Sequence, residues 1–202
     1  MPTGPIRRLA LGPYNGGVRE RWPVWLVGMM GSGKSTLAPS LADFLGRPWL
    51  DSDHEIERRS SCSIAELFET RGEAHFRALE RSLIVELESG DAVVALGGGA
   101  MVQPGMSERL LRSGTVVYLQ AQPEVLLQRV GDADSRPLLR DLDSTERLQR
   151  IRALMEERSL VYAQAHVTVA TDALEPKDLQ SVIAELAGRI ERASPRNTGS
   201  AE

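Results

Sequence analysis

The 202-residue chain predicts an α/β fold, a five-stranded parallel sheet with helices packed on both faces. Three observations carry that expectation. Short apolar runs recur at 24–27, 49–51, 93–96, 115–119 and 167–170, and a segment with helix-start signals follows each. Strands alternating with helices in this way build parallel sheets. Gly28, Asp51, Asp53 and Gly97 all emerge just after such runs, at the carboxyl edge where open α/β sheets bind ligands.

Taken in order, Val24 to Val27 is a buried strand, and the segment from Lys34 to Leu45 is a helix. Pro39 lies past its first turn and removes one backbone donor, so a kink there is possible. Trp49-Leu50-Asp51 is the second strand. Ser63-x-x-Glu66 and Thr70-x-x-Glu73 have capping-box spacing, which predicts helices from about Ile64 and from about Arg71, the latter reaching about Glu88. The run at 93–96 enters Gly97-Gly98-Gly99, and Pro104 suits the first position of a helix. After the strand at 115–119, Pro123 opens a helix to about Val130. Residues 131–143 are polar, charged and irregular, as expected of a mobile lid. Asp143-x-x-Glu146 caps a helix to about Arg158, 167–170 is the last strand, and Pro176 begins a closing helix to about Ile190.

Residues 23–192 read as a single domain, without an internal repeat or a dividing linker. Residues 1–22, rich in Arg, Gly and Pro, read as a flexible basic arm, and 193–202 as a disordered tail. The formal net charge of -4 argues against a nucleic-acid binder that works by phosphate neutralisation. One cysteine, Cys62, precludes an intrachain disulfide framework. No apolar run reaches membrane-span length, and the first residues lack the apolar middle of a secretory signal. The expectation is a cytoplasmic monomer with no membrane or nucleic-acid partner.

Gly28-Met29-Met30-Gly31-Ser32-Gly33-Lys34-Ser35 matches G-x-x-x-x-G-K-[ST] at every fixed position, and Thr36 follows. Between a strand and a helix, such a loop turns its backbone N–H groups inward on an anion and adds the positive end of the helix. Lys34 is suited to β- and γ-phosphates and the Ser35 hydroxyl to Mg²⁺. Lys34 and Lys177 are the two lysines in a chain whose other basic residues are arginines, so a compact charge on a flexible stem stands where the loop needs one. The motif therefore implies a nucleoside triphosphate with magnesium. His54, His75 and His166 are far apart in sequence and lack a cysteine pattern, which argues against a zinc site.

Gly28 to Thr36, Asp51-Ser52-Asp53, Phe76-Arg77-x-x-Glu80, Gly97-Gly98-Gly99-Ala100 and Arg136-Pro137-Leu138-Leu139, in this order and spacing, resemble the shikimate kinase family over about residues 23–190. The resemblance implies a P-loop NTPase fold, a three-layer sandwich like that of the nucleoside-monophosphate kinases. It implies transfer of the γ-phosphoryl of ATP to the 3-hydroxyl of shikimate, in aromatic amino-acid (chorismate) biosynthesis. By the same resemblance, Gly31, Ser32, Gly33, Lys34, Ser35 and Thr36 hold the phosphates, and Ser35 and Asp51 hold Mg²⁺. Asp53 engages the acceptor hydroxyl, Arg77 and Arg158 grip the substrate carboxylate, and Gly98 and Gly99 contact the ring substituents. Lys34 and Arg136 offset charge on the moving phosphoryl, while Arg129 and Pro176 flank adenine.

Plainer readings stay open for several of these positions. One aspartate of 51–53 suffices as a helix cap, the triple glycine as a tight turn, Arg158 as a helix-end cation and Pro176 as a helix opener. On an extended strand end, Asp51 and Asp53 would point to opposite sides. Leu160 stands where the family has a proline shortly before the tyrosine, here Tyr162. The competing functions are another small-molecule P-loop kinase, such as a gluconate kinase, and a nucleotide-dependent regulatory protein without phosphotransfer.

Overall fold

The computed structural model describes residues 22–130, 138–172 and 179–193. Within them, five parallel strands lie in the order β2-β3-β1-β4-β5. These are β1 (Val24–Val27), β2 (Trp49–Asp51), β3 (Val93–Ala95), β4 (Thr115–Gln120) and β5 (Val167–Ala170). The central strand β1 aligns Val24 with Val93 on one side and with Thr115 on the other. The helices are α1 (Lys34–Leu45), α2 (Ser52–Ser60), α3 (Ile64–Leu87), α4 (Met106–Ser113), α5 (Pro123–Arg129), α6 (Ser144–Tyr162) and α7 (Leu179–Arg192).

Strand alternation divides the core into two layers. Trp25, Val27, Val94 and Val116 face Ile84 of α3, Leu110 of α4, Leu126 of α5 and Ile151 of α6. Their neighbours Val24, Leu26, Val93 and Val117 face Leu37 and Leu41 of α1 and Ile183 and Leu186 of α7. Strands covered on both faces have no polar side to show, which is why β1 and β3 are wholly apolar and wholly buried. A smaller cluster of Ile56, Leu67, Phe76 and Leu83 joins α2 to α3 beside the sheet. Chain paths diverge between β1 and β3: β1 leads through α1 to the sheet edge, while β3 leads through α4 to the far side of β1. The crevice at that switch point is where this architecture places ligands.

Several local expectations are corrected. Residues 52–60 form α2, a helix without predicted bounds, whose cap is the strand-end Asp51, as one of the open readings of 51–53 had it. The Ser63–Glu66 capping box is formed, but Thr70 caps nothing; its hydroxyl donates to the Glu66 carbonyl. The helical path is broken two residues later, where Gly72 takes φ 79° and ψ 163°, a conformation that a side chain would resist. Pro104 lies in the turn before α4, whose N-cap is Gly105 with φ 75°. Helix α6 runs four residues beyond Arg158, to Tyr162. Pro39 is accommodated inside an α1 that runs unbroken to Leu45. Pro176 and the lid residues 131–137, with Arg136 among them, lie outside the described residues. No described helix is long and apolar enough to cross a membrane.

Candidate active site

Two adjoining cavities open at the switch point, with Asp53, Met30 and Gly98 in the walls of both. The first, of about 400 Å³, is built on the loop between β1 and α1, and its walls include Gly31, Gly33, Lys34, Ser35, Thr36, Asp51 and Arg129. Gly28, Gly31 and Gly33 take φ values of 143°, 77° and 93°, which lets the loop wrap tightly before the helix begins. Helix α1 starts without a side-chain cap, so its first N–H groups stay available to an anion. The Lys34 ammonium donates to the carbonyls of Gly28 and Met29, each at 2.8 Å. Ser32 is fully buried inside the turn, contributing backbone rather than wall.

The Asp51 carboxylate joins loop and sheet. Its Oδ2 accepts from the Ser35 hydroxyl at 2.5 Å, and its Oδ1 accepts from the backbone N–H groups of Asp53 and His54 at 3.0 and 3.3 Å. Capping of α2 and the link to the loop are thus divided between its two oxygens. A hydroxyl and a carboxylate side by side are hard oxygen donors that fit Mg²⁺, whose remaining ligands are ordinarily waters and phosphate oxygens. Arg129 reaches from the end of α5 to the Thr171 carbonyl at 2.8 Å and that of Asp172 at 3.2 Å, which fixes it at the rim of the same cavity.

The second cavity, of about 270 Å³, brings together Asp53, Arg77, Gly97, Gly98, Gly99 and Arg158, with Phe68, Phe76 and Leu138 as apolar wall. Asp53 does not lie on an extended strand end. It occupies the first turn of α2, so helix geometry rather than strand alternation separates it from Asp51. None of the three glycines has a positive φ, so the turn that the Ala100 N–H closes on the Gly97 carbonyl does not itself demand glycine. Space does so at two of them. A β-carbon at Gly97 would overlap Glu80 Oε1 and lie 2.7 Å from Asp53 Oδ1, and at Gly99 it would lie 2.6–2.8 Å from the Arg77 guanidinium; at Gly98 it would meet Arg158 Nη1 at 3.4 Å, an ordinary contact, so room demands glycine at Gly97 and Gly99.

The two arginines differ in their electrostatics. Arg77 donates Nη1 to Glu80 at 2.8 Å and both Nε and Nη2 to Glu73 at 3.1 and 2.9 Å. Burial works to lower its proton affinity, but those carboxylates prevail and hold it above its ordinary value. Arg158 is 4% exposed and donates to the Gly98 carbonyl at 2.9 Å. No carboxylate among the described residues pairs with it, and its Nε has no hydrogen-bond partner. A buried cation without a counter-charge is costly unless an anion is to arrive.

Sequence reasoning assigned no role to Glu80 in the wall of this cavity, or to Gln103 and Tyr162, which hydrogen-bond to its wall residues Glu80 and Gly98. Glu80 is fully buried and accepts from Arg77 and from Gln103 Nε2, the latter at 2.7 Å. Burial raises its carboxyl to about 7 against the pull of Arg77. The signal for it was present, since an acid three residues after Arg77 on a helix lies on the same face. Gln103 comes from an irregular turn and gave no such signal. Tyr162 stacks on Tyr118 at 4.9 Å and donates to the Gly98 carbonyl at 2.5 Å. It anchors the end of α6 whether or not a proline precedes it; Leu160 itself points outward, 82% exposed.

A phosphate-binding loop on β1, a hydroxyl–carboxylate pair beside it and an adjoining cationic cavity with a carboxylate between them define a P-loop small-molecule phosphotransferase. Comparison with known proteins agrees with that class. The family model described as "Shikimate kinase" matches residues 30–190. A curated shikimate kinase from Paracidovorax citrulli is 39% identical over 86% of this chain and 94% of its own. The solved shikimate kinase from Acinetobacter baumannii in complex with shikimate superposes with a TM-score of 0.76 at 40% identity, covering 83% of this chain and 93% of its own. The Bacteroides thetaiotaomicron enzyme gives 0.78 at 34% identity over 84% and 98%. The chain belongs to the shikimate kinase family.

Proposed function

We propose that this protein transfers the γ-phosphoryl group of ATP to the 3-hydroxyl of shikimate, giving shikimate 3-phosphate and ADP for aromatic amino-acid biosynthesis, as a cytoplasmic monomer. The observation that carries the reading of the acceptor is Arg158, a buried cation without a carboxylate among the described residues, in the wall of the cavity that also holds Asp53 and Arg77. A small carboxylated polyol supplies the missing charge at Arg158 and Arg77 and hydroxyls for Asp53. Planar guanidinium groups suit a carboxylate because they donate in a fork. A gluconate-type acceptor is also carboxylated, but the narrow floor of Gly98 and Gly99 under two fixed guanidinium groups favours a compact ring.

The loop from Gly31 to Thr36 and the amino end of α1 hold the triphosphate, and Lys34 exchanges loop carbonyls for β- and γ-oxygens. Ser35 and Asp51 would hold Mg²⁺, which would offset the charge of the phosphates. Arg129, with Pro176, borders the base, and Arg136 closes over the phosphates. Asp53, in the walls of both cavities, orients the acceptor hydroxyl for in-line attack and accepts its proton as the bond to phosphorus forms.

The test is acceptor-dependent ADP release with shikimate, gluconate or no acceptor. Shikimate alone should support release, and Asp53→Asn should lower kcat by about 10²-fold or more while calorimetry shows ATP binding retained. Release with gluconate would move the substrate; ATP binding without release under any condition would favour a regulatory role.

A further inference from the structure

Glu80 has no exposed surface, although it contributes to the wall of the acceptor cavity. Its Oε2 accepts from Arg77 and Gln103, whereas its Oε1 has no donor and lies with Asp53 Oδ1 over the backbone of Gly97. Arg77 is already shared, since its other N–H groups donate to Glu73. Three carboxylates, Asp53, Glu73 and Glu80, therefore surround two guanidinium groups, Arg77 and Arg158. A carboxylated ligand adds a fourth negative charge in a desolvated space.

Charge crowding of this kind is relieved when the most buried carboxylate binds a proton. Glu73 is half exposed, at 53%, and water screens it. Glu80 is wholly enclosed. We propose that binding of a carboxylated ligand in this cavity is coupled to uptake of one proton from solvent, and that Glu80, through Oε1, is the group that holds it.

The groups that face Glu80 are consistent with this. Burial places its carboxyl at about 7 in the ligand-free protein; Arg77 and Gln103 pull it down, and Asp53 pushes it up. From α6, Tyr162 stays neutral because burial pushes it to about 12, and Arg158 is the cation that the ligand itself neutralises. Near neutral pH Glu80 is thus divided between its two forms, and a nearby negative charge shifts it to the protonated one. A group protonated more fully in the complex makes affinity fall as pH rises above its ligand-free value.

This inference rests on the proposed acceptor. Calorimetric titration of the full chain with shikimate, without nucleotide, would be run at pH 6 and pH 8 in phosphate and in Tris, whose ionisation heats differ. Uptake should approach about one proton at pH 8 and vanish toward pH 6, with Kd rising about fifteenfold from pH 7 to 8.5. Glu80→Gln should abolish the buffer dependence and flatten the pH dependence, whatever its absolute affinity. Should that variant not fold, the wild-type protein alone decides, because shikimate heats identical in both buffers at pH 8 overturn the inference. Uptake that persists in Glu80→Gln overturns the assignment to Glu80. Absence of any shikimate binding would overturn the functional reading and this inference with it; binding without proton uptake overturns this inference alone.

Discussion

A methyl group at Gly99 would lie 2.6–2.8 Å from three atoms of the Arg77 guanidinium, well inside van der Waals contact. Arg77 is tied to Glu73 and Glu80 and cannot yield without breaking an ion pair. Gly99→Ala should therefore displace the carboxylate grip and raise KM for shikimate about tenfold with a smaller change in kcat, since the contact acts on ground state and transition state alike. Steady-state kinetics at saturating ATP would show it, and an unchanged KM would refute the spatial account. The triple glycine was visible in the sequence, but its reason was not. A run of glycines signals either backbone freedom or lack of room, and only the positions of Asp53, Glu80 and Arg77 decide for room at Gly97 and Gly99. The phosphate loop and the Asp51–Asp53 pair were legible because each is local in sequence. Glu80 became significant only when Gln103 and Gly97, both distant from it along the chain, were seen packed against it.

Helices α2 and α3 carry half of the acceptor cavity, and an ionic clamp helps hold them together. Arg59 donates to Glu55 at 2.7 Å and spans to Glu86 of α3 at 2.6 and 3.0 Å. Arg58 shares Glu55, and hydrogen bonds from Arg58, against the cost of burial, hold the Glu55 carboxyl near 2. Arg59 is 42% exposed, so water screens part of the interaction. Arg59→Ala should cost about 1 kcal/mol, a fall in Tm of about 2–4 °C read by thermal melting; an unchanged Tm would show that the apolar cluster of Ile56, Leu67, Phe76 and Leu83 holds the pair unaided. At this scale the sequence was most legible in its short apolar runs, and the buried β1 and the edge strand β2 both have the expected bounds. It was least legible where two signals coincide. Asp51 ends a strand, caps α2 and meets Ser35, so the cap stood as one of several readings of the same residues. Thr70 had the right spacing for a box, but Gly72, two residues on, is where the backbone can leave the helix.

Across the whole molecule, three buried or half-buried groups set opposing pH dependences of stability. The Glu80 carboxyl is raised by burial from 4.5 to about 7, so the folded state binds a proton more tightly than the unfolded chain, and stability falls as pH rises from about 4.5 through 7. His166 acts in the opposite sense. Its Nδ1 accepts from the Val116 N–H between the starts of β4 and β5, and burial holds its proton affinity below the ordinary value of 6.5. Folding therefore favours the neutral ring, and stability declines as pH falls below about 6.5. Glu55, lowered to about 2, contributes only further down, where stability is lost as pH drops from about 4.5 toward 2. Between pH 5 and 7 the contributions of Glu80 and His166 oppose one another and should leave a broad plateau. Glu80→Gln removes one side of that balance. Denaturant unfolding at pH 5, 6, 7 and 8 should then show the variant gaining stability relative to the wild type with each step up to about pH 7.5 and no further change above it. A difference independent of pH would mean that Glu80 does not titrate in this window. The site would then carry its full negative charge before any ligand arrived, and Arg158 would owe its burial to packing against Gly98 and Met29 rather than to an awaited carboxylate.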